Sequence, residues 1–179
     1  MNEARIYLIG AGPGDPSLLT MKGHRYLTTA DVVVYDHLVH RRMLRLVRPD
    51  AETIDVGPAA PQPLEQDAIC LLLAEKAREG KTVARLKWGD PFVFDSGGKE
   101  ALFLHEQRVP FEVVPGIPSG IGSPTFAGIP VTYPEAGDTL TLVRGYEGAT
   151  DTPPKVAWNH LAKVSGTIVT YGAGPQLAA

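Results

Sequence analysis

A single cysteine, Cys70, is present, so no disulfide can form within the chain. It lies in the apolar run Ala68-Ile69-Cys70-Leu71-Leu72-Leu73, which reads as a buried thiol and not a reactive one. An excess of one charge is also lacking. The formal net charge is −3, which gives no field to hold nucleic acid or an anionic membrane. No window reaches the roughly 20 consecutive apolar residues of a membrane helix. No basic segment at the start leads into a long apolar stretch, so no signal peptide is expected and the cytoplasm is the default location. His24, His105 and His160 show no metal-ligand spacing with one another or with Cys70, so no metal site is expected. No Ser-His-Asp arrangement is identifiable.

What is present is an alternation of short β-branched runs with longer helical patterns. Of the 179 residues, 44% are hydrophobic, enough for a sizeable core in one domain or two small ones. Strands are predicted at 5–9, 31–35, 52–56, 82–86 and 111–114. Helices are predicted at 20–29 with Thr20 as N-cap, at 41–47, at 64–79 closed by Gly80, and at 98–107. Asp31-Val32-Val33-Val34-Tyr35 is apolar without alternation, as in strands buried on both faces. This order predicts a parallel, wound α/β sheet, whose ligands bind beyond the carboxyl ends of the strands. The glycine-rich or unusual polar segments all follow strands: 10–15, 36–37, 57–58, 87–90 and 115–120.

Past residue 114 the composition changes. Pro115, Pro118, Pro124, Pro130 and Pro134 fall close together, with Gly116, Gly120, Gly122 and Gly128 among them. This predicts an interdomain link near Pro115, dividing the chain into 1–114 and 115–179. Strands follow at 139–143 and 167–171, with a loop over Glu147 to Lys155 and a helix over 158–164. Two strands do not make a stable sheet, so the second α/β domain is expected to be incomplete.

The segment Gly10-Ala11-Gly12-Pro13-Gly14-Asp15-Pro16 invites a dinucleotide-binding reading, which fails. Asp15 stands where the third glycine belongs, and Pro13 removes an amide that a phosphate would need. Two readings stay open for it, a structural turn or a loop for a ligand without phosphates.

Four segments read together are more specific. They are Ile6 to Pro16 with Leu18-Leu19-Thr20 and Lys22-Gly23; Val32 to Val39; Arg85-Leu86-Lys87-Trp88-Gly89-Asp90-Pro91-Phe92-Val93-Phe94; and Val113-Val114-Pro115-Gly116-Ile117 continuing to Ala127-Gly128-Ile129-Pro130-Val131-Thr132. In this order and spacing the chain resembles the tetrapyrrole methylase family over essentially its whole length. The resemblance implies two α/β domains with S-adenosyl-L-methionine in the cleft between them, and a homodimer when full length. Within the family, the pattern is most similar to that of the enzyme methylating uroporphyrinogen III at C2 and C7. The products there are precorrin-2, on the way to sirohaem and cobalamin, and S-adenosyl-L-homocysteine. Family members extend well past the position of Ala179.

The resemblance also implies residue roles. Donor binding falls on Pro13, on Trp88, Gly89, Asp90 and Val93, and on Pro118 and Ser119. Such a site suits a cationic sulfonium without phosphates, which needs backbone groups, a carboxylate and apolar walls. For Asp90 the competing reading is a turn-forming aspartate before proline. Asp36 takes the family's proton-acceptor role, since methylation of a pyrrole carbon leaves a proton to be lost. Its competing reading is a loop or capping aspartate.

Departures from the family pattern are visible. Pro58 replaces a lysine assigned as proton donor. Trp88 replaces a glycine, and its ring can stack on adenine, stack on the tetrapyrrole, or simply pack. Pro118-Ser119 replaces threonine-alanine. Gly172 stands for a methionine and offers only backbone. His37, His40, Arg41, Arg42, Arg45 and Arg48 form a basic run, with Arg41, Arg45 and Arg48 expected on one helical face. They read either as a solvated face or as a means of capturing an octacarboxylate substrate. Two other functions compete with the leading one: methylation of a precorrin, and a truncated, non-catalytic S-adenosylmethionine-binding module.

Overall fold

The computed structural model describes residues 5–145 and 156–172. The loop expected over Glu147 to Lys155 lies outside the described residues. Two compact units are formed, residues 1–119 and 120–179.

In the first unit the strands are β1 (Ile6–Gly10), β2 (Val32–Tyr35), β3 (Glu52–Asp55), β4 (Val83–Lys87) and β5 (Phe111–Val114). They pair in the order β3-β2-β4-β1-β5, and every pairing is parallel. The connecting helices are α1 (Met21–Thr29), α2 (Arg41–Leu44), α3 (Gln66–Arg78) and α4 (Gly97–Glu106). This is the wound α/β sheet that the sequence predicts. Because alternate residues of a strand face opposite sides, the sheet carries two cores. Ile6, Leu8, Val32, Val34 and Val83 pack with Ile69 and Leu73 of α3 and Leu104 of α4. On the other face, Ile9, Val33, Ala84 and Leu86 pack with Leu27 of α1 and Met43 of α2.

Local signals set the helix ends. Thr20 Oγ1 accepts from the Gly23 amide at 3.1 Å, capping α1. Gly80 follows α3 at φ +81°, the left-handed conformation that glycine adopts without strain. Cys70 is buried on α3, and burial raises its thiol above the usual range.

The expectation for α2 is corrected. It ends at Leu44, not residue 47, because the Arg45 amide turns back to the carbonyls of Arg42 and Met43. Arg41, Arg45 and Arg48 therefore do not share one helical face. Arg48 is tied to Asp31 at 2.8 Å and to Asp50 at 3.2 Å.

The second unit holds β6 (Leu140–Arg144) and β7 (Thr167–Tyr171), paired in parallel, and the short α6 (Trp158–Leu161). In the chain between β5 and β6, α5 (Ser119–Phe126) is helical despite Pro124, two glycines and two serines, where the sequence reads as linker. Gly120 belongs to the second unit: its amide donates to Tyr171 Oη at 2.9 Å, and a Cβ there would lie 2.5 Å from that oxygen.

Candidate active site

Three loops leave the carboxyl ends of β1, β4 and β5 and meet backbone to backbone. The Ala11 amide donates to the Lys87 carbonyl at 2.7 Å, and Gly12 and Gly89 exchange two hydrogen bonds at 3.0 Å each. Contact this close leaves no room for side chains. A Cβ on Gly10 would lie 2.6 Å from both Gly116 N and Gly89 O, and one on Gly116 only 2.1 Å from Gly89 O. Gly12 and Gly89 also hold positive φ. The first glycine loop is thus part of a three-loop junction, with the half-buried Pro13 following Gly12 in the chain.

Asp90 bolts the junction. Its Oδ1 accepts from the Phe92 amide at 2.9 Å and its Oδ2 from the Gly116 amide at 3.1 Å. One carboxylate therefore joins the loop after β4 to the loop after β5. Val93 continues the same turn, its amide reaching the Asp90 carbonyl at 3.3 Å. Gly89 sits beside the end of the first unit: a Cβ there would be 3.6 Å from Ser119 N and 3.7 Å from Pro118 Cα.

Beneath the loops lies an ionic cluster on the α3/α4 face of the sheet. Arg85 and Lys87 alternate with Ala84 and Leu86 along β4 and so point to the same side as Val83. Arg85 is 1% exposed, Lys87 and Glu100 0%. Glu100 Oε1 accepts from Arg85 Nε at 3.2 Å, Arg85 Nη2 at 3.1 Å, Lys87 Nζ at 3.0 Å and Gln66 Nε2 at 3.1 Å. Arg85 Nη2 also donates to Asp36 Oδ1 at 2.6 Å, and Lys87 Nζ stands 3.6 Å from Asp36 Oδ2. Lys87 further meets Asp95 Oδ1 at 2.8 Å and Ser96 Oγ at 3.0 Å.

Electrostatics separates the acids of this cluster. Burial opposes the charge on Glu100, but Arg85 and Lys87 outweigh it and hold its carboxyl down to about 2. For Asp95 burial wins over Lys87 and pushes the carboxyl up. Burial works against the charge on Arg85 too, yet Glu100 and Asp36 keep its pKa above the usual value. Arg85 Nη1, Glu100 Oε2 and Asp95 Oδ2 are buried without a partner among the described residues.

The structure therefore brings Gly89, Asp90, Val93, Pro118 and Ser119 into one group with the loop that carries Pro13. Trp88, half-buried, joins this group to β4. Asp36 stands at the carboxyl end of β2 over the ionic cluster. Gly172 lies in the second unit, exposed, at φ +71°. Pro58 is exposed after β3, next to a Gly57 whose Cβ would meet His37 Cβ at 2.5 Å. No group of three or more His, Cys, Asp or Glu side chains among the described residues is arranged to hold a metal ion. No helix among them is long and apolar enough to cross a membrane.

The ionic cluster went unread in the sequence. A signal existed: Arg85 and Lys87 are two residues apart in a strand whose other members are apolar, and that spacing places two cations on one buried face.

The sequence model of the Tetrapyrrole (Corrin/Porphyrin) Methylases matches residues 5–179. The S-adenosyl-L-methionine-dependent uroporphyrinogen III methyltransferase of Methanosarcina barkeri is 46% identical over 169 residues, 94% of this chain and 66% of its own. The structure of uroporphyrin-III C-methyl transferase from Thermus thermophilus complexed with S-adenyl homocysteine has a TM-score of 0.70 at 45% identity, covering 82% of this chain and 63% of that one. A cobalt precorrin-4 methyltransferase has a TM-score of 0.83 at 32% identity, covering 97% of this chain and 71% of that one. The chain spans 66%, 64% and 60% of the length of three curated relatives it matches. A family match along nearly the whole chain, on the parallel sheet and glycine junction just described, shows that the chain belongs to the tetrapyrrole methylase family.

Proposed function

We propose that this chain binds S-adenosyl-L-methionine and takes part in C-methylation of uroporphyrinogen III to precorrin-2, at C2 and C7. The observation that carries this reading is the match of nearly the whole chain to relatives named for that reaction. The sulfonium of the donor supplies the methyl group. The remaining work falls on residues of the chain. The backbone junction of Gly10, Gly12, Gly89 and Gly116 forms a floor that suits a ligand without phosphates, and Pro13, Trp88, Gly89, Asp90, Val93, Pro118 and Ser119 are the donor-site residues. Because both oxygens of Asp90 are engaged by amides, its part is to shape the site. Gly172 contributes backbone only.

Asp36 is the base. Each methyl transfer leaves a proton on the pyrrole system, and Asp36 takes it once the new carbon–carbon bond has formed. Its side chain is 20% exposed, so it reaches the strand ends while its other contacts stay inside. Arg41, Arg42 and Arg45, exposed after Asp36, suit the carboxylates of the substrate, whereas Arg48 is committed to Asp31 and Asp50. The domain division at Pro115, a homodimer and a cytoplasmic location belong to the same reading.

Incubation with S-adenosylmethionine and uroporphyrinogen III tests it. Growth of the precorrin-2 chromophore is the expected result, and Asp36→Asn should lower the rate by about 10² to 10⁴-fold. Product of another precorrin methylation would move the substrate within the family. Pro58 in place of lysine favours one second reading, a binding module without turnover. Calorimetry showing S-adenosylhomocysteine binding with no chromophore would establish that reading instead.

A further inference from the structure

The ionic cluster is larger than structure alone requires. A buried ion pair is seldom worth more than apolar residues of equal volume, because desolvation offsets the attraction. Here two cations and three carboxylates, Asp36, Asp95 and Glu100, are gathered at one end of β4. Four donors from Arg85, Lys87 and Gln66 converge on Glu100 Oε1 while Oε2 stays without a partner. The cluster is not closed on itself. Its shortest contact between a cation and a carboxylate runs outward, from Arg85 Nη2 to Asp36 Oδ1 at 2.6 Å. Asp36 is also the member that reaches solvent, and both of its oxygens face cations of β4.

We propose that Arg85 and Lys87 are positioning residues for Asp36, holding its carboxylate in one orientation at the end of β2, and that Glu100 fixes Arg85 for this task. The proposal rests on the reading of Asp36 as the base. Every group facing Asp36 enters it. Arg85 and Lys87 come from β4, Asp95 stands on the segment leading into α4, Glu100 stands on α4 itself, and His37 follows in the chain. Asp55 at the end of β3 is committed to the Gly57 amide at 2.9 Å. An aspartate side chain has two torsions, and in water neither is fixed. Two donors of fixed origin select one rotamer. A misplacement of about 1 Å at a reacting group can cost about 10²-fold in rate. Glu100 bonds to Arg85 and Lys87 and not to Asp36, so its influence must pass through those two cations.

The test uses the full chain with Arg85→Met, Arg85→Lys and Glu100→Gln. Side-chain couplings measured by NMR report the χ1 of Asp36 directly, without any assay of activity. A single rotamer is expected in the native protein and in Arg85→Lys, and averaging in Arg85→Met and Glu100→Gln. Turnover should follow the same order: kcat falls by about 10²-fold in Arg85→Met, KM and S-adenosylhomocysteine affinity hold, and Arg85→Lys restores much of kcat. If Arg85→Met does not fold, Glu100→Gln decides by the same couplings. A fixed Asp36 rotamer and unchanged kcat in the folded variants, with only thermal stability lowered, would overturn the proposal. Should Asp36→Asn prove fully active, the base reading fails, while the couplings still decide whether Arg85 positions the carboxylate.

Discussion

Arg85 Nη2 lies 2.6 Å from Asp36 Oδ1 and 3.1 Å from Glu100 Oε1, so one guanidinium ties the end of β2 to α4. Glu100 has its pKa held down to about 2, from an ordinary value of 4.5. A carboxyl whose folded value is depressed stabilises the fold above its unfolded value and loses that contribution as pH falls through the folded one. The contribution of Glu100 should therefore be complete above pH 4.5 and fade toward pH 2. Glu100→Gln leaves two buried cations short of a carboxylate, a loss of about 3–5 kcal/mol at neutral pH. Denaturant melts at several pH values check this. The gap between native and variant protein should narrow in acid, and a gap independent of pH would contradict the assignment.

Asp95 behaves in the opposite sense. Burial raises its carboxyl despite Lys87 at 2.8 Å. A group with a raised folded pKa binds its proton more readily when folded, so its ionised form costs stability as pH rises past the ordinary 3.8. Asparagine keeps an acceptor for Lys87 and removes the charge. Lys87 still has Glu100 and Ser96. Asp95→Asn should melt at or above the native temperature at pH 7, and its advantage should shrink as pH falls toward 3.8. A clear drop in melting temperature at pH 7 would show that the ionised carboxylate is needed.

Gly116 has no room for a methyl group. Its Cβ would stand 2.1 Å from Gly89 O and 2.7 Å from Gly10 C, all backbone, which cannot yield as a flexible side chain does. Gly116→Ala should cost about 1–3 kcal/mol or more, and it should weaken S-adenosylhomocysteine binding if the junction floors the donor site as proposed. Gly98 provides the control, as its Cβ would meet nothing within 4 Å. Thermal melts and calorimetry of the two variants compare a blocked glycine with an open one.

Much of the first unit could be read from the sequence because it rests on local rules. The apolar run of β2, the Thr20 cap and Gly80 each announce an element within a few residues. What differs depends on backbone turns and on partners that no periodicity reveals. The early end of α2 follows from the backbone turn at Arg45, and Arg48 left its expected face because Asp31 and Asp50 hold it. Proline and glycine between 115 and 134 suggest a linker, yet α5 forms there, with Gly120 packed under Tyr171, some fifty residues onward. The ionic cluster is the same case. Asp36, Arg85 and Glu100 are far apart in sequence, and only the parallel pairing of β2 with β4 and the packing of α4 unite them. For Asp90 the geometry bears out the turn-forming reading and adds a bolt between loops, while its part in a donor site is the proposal.

That double role gives the last prediction. Asp90 accepts from Phe92 N and Gly116 N, and hydrogen bonds to a charged acceptor are worth about 1.5–3 kcal/mol. Asp90→Asn presents one carbonyl oxygen and an NH₂ that faces one of two donors, so one of the two bonds must be lost. Asp90→Ala loses both. If Asp90 acts mainly as a bolt, stability and S-adenosylhomocysteine affinity should fall together, more in Asp90→Ala than in Asp90→Asn. A direct contact to the cationic donor would instead lower affinity for S-adenosylmethionine far more than for uncharged S-adenosylhomocysteine, with little change in melting temperature. Calorimetry with both ligands beside thermal melts separates the two, and the first pattern is expected because both carboxylate oxygens are already engaged by backbone.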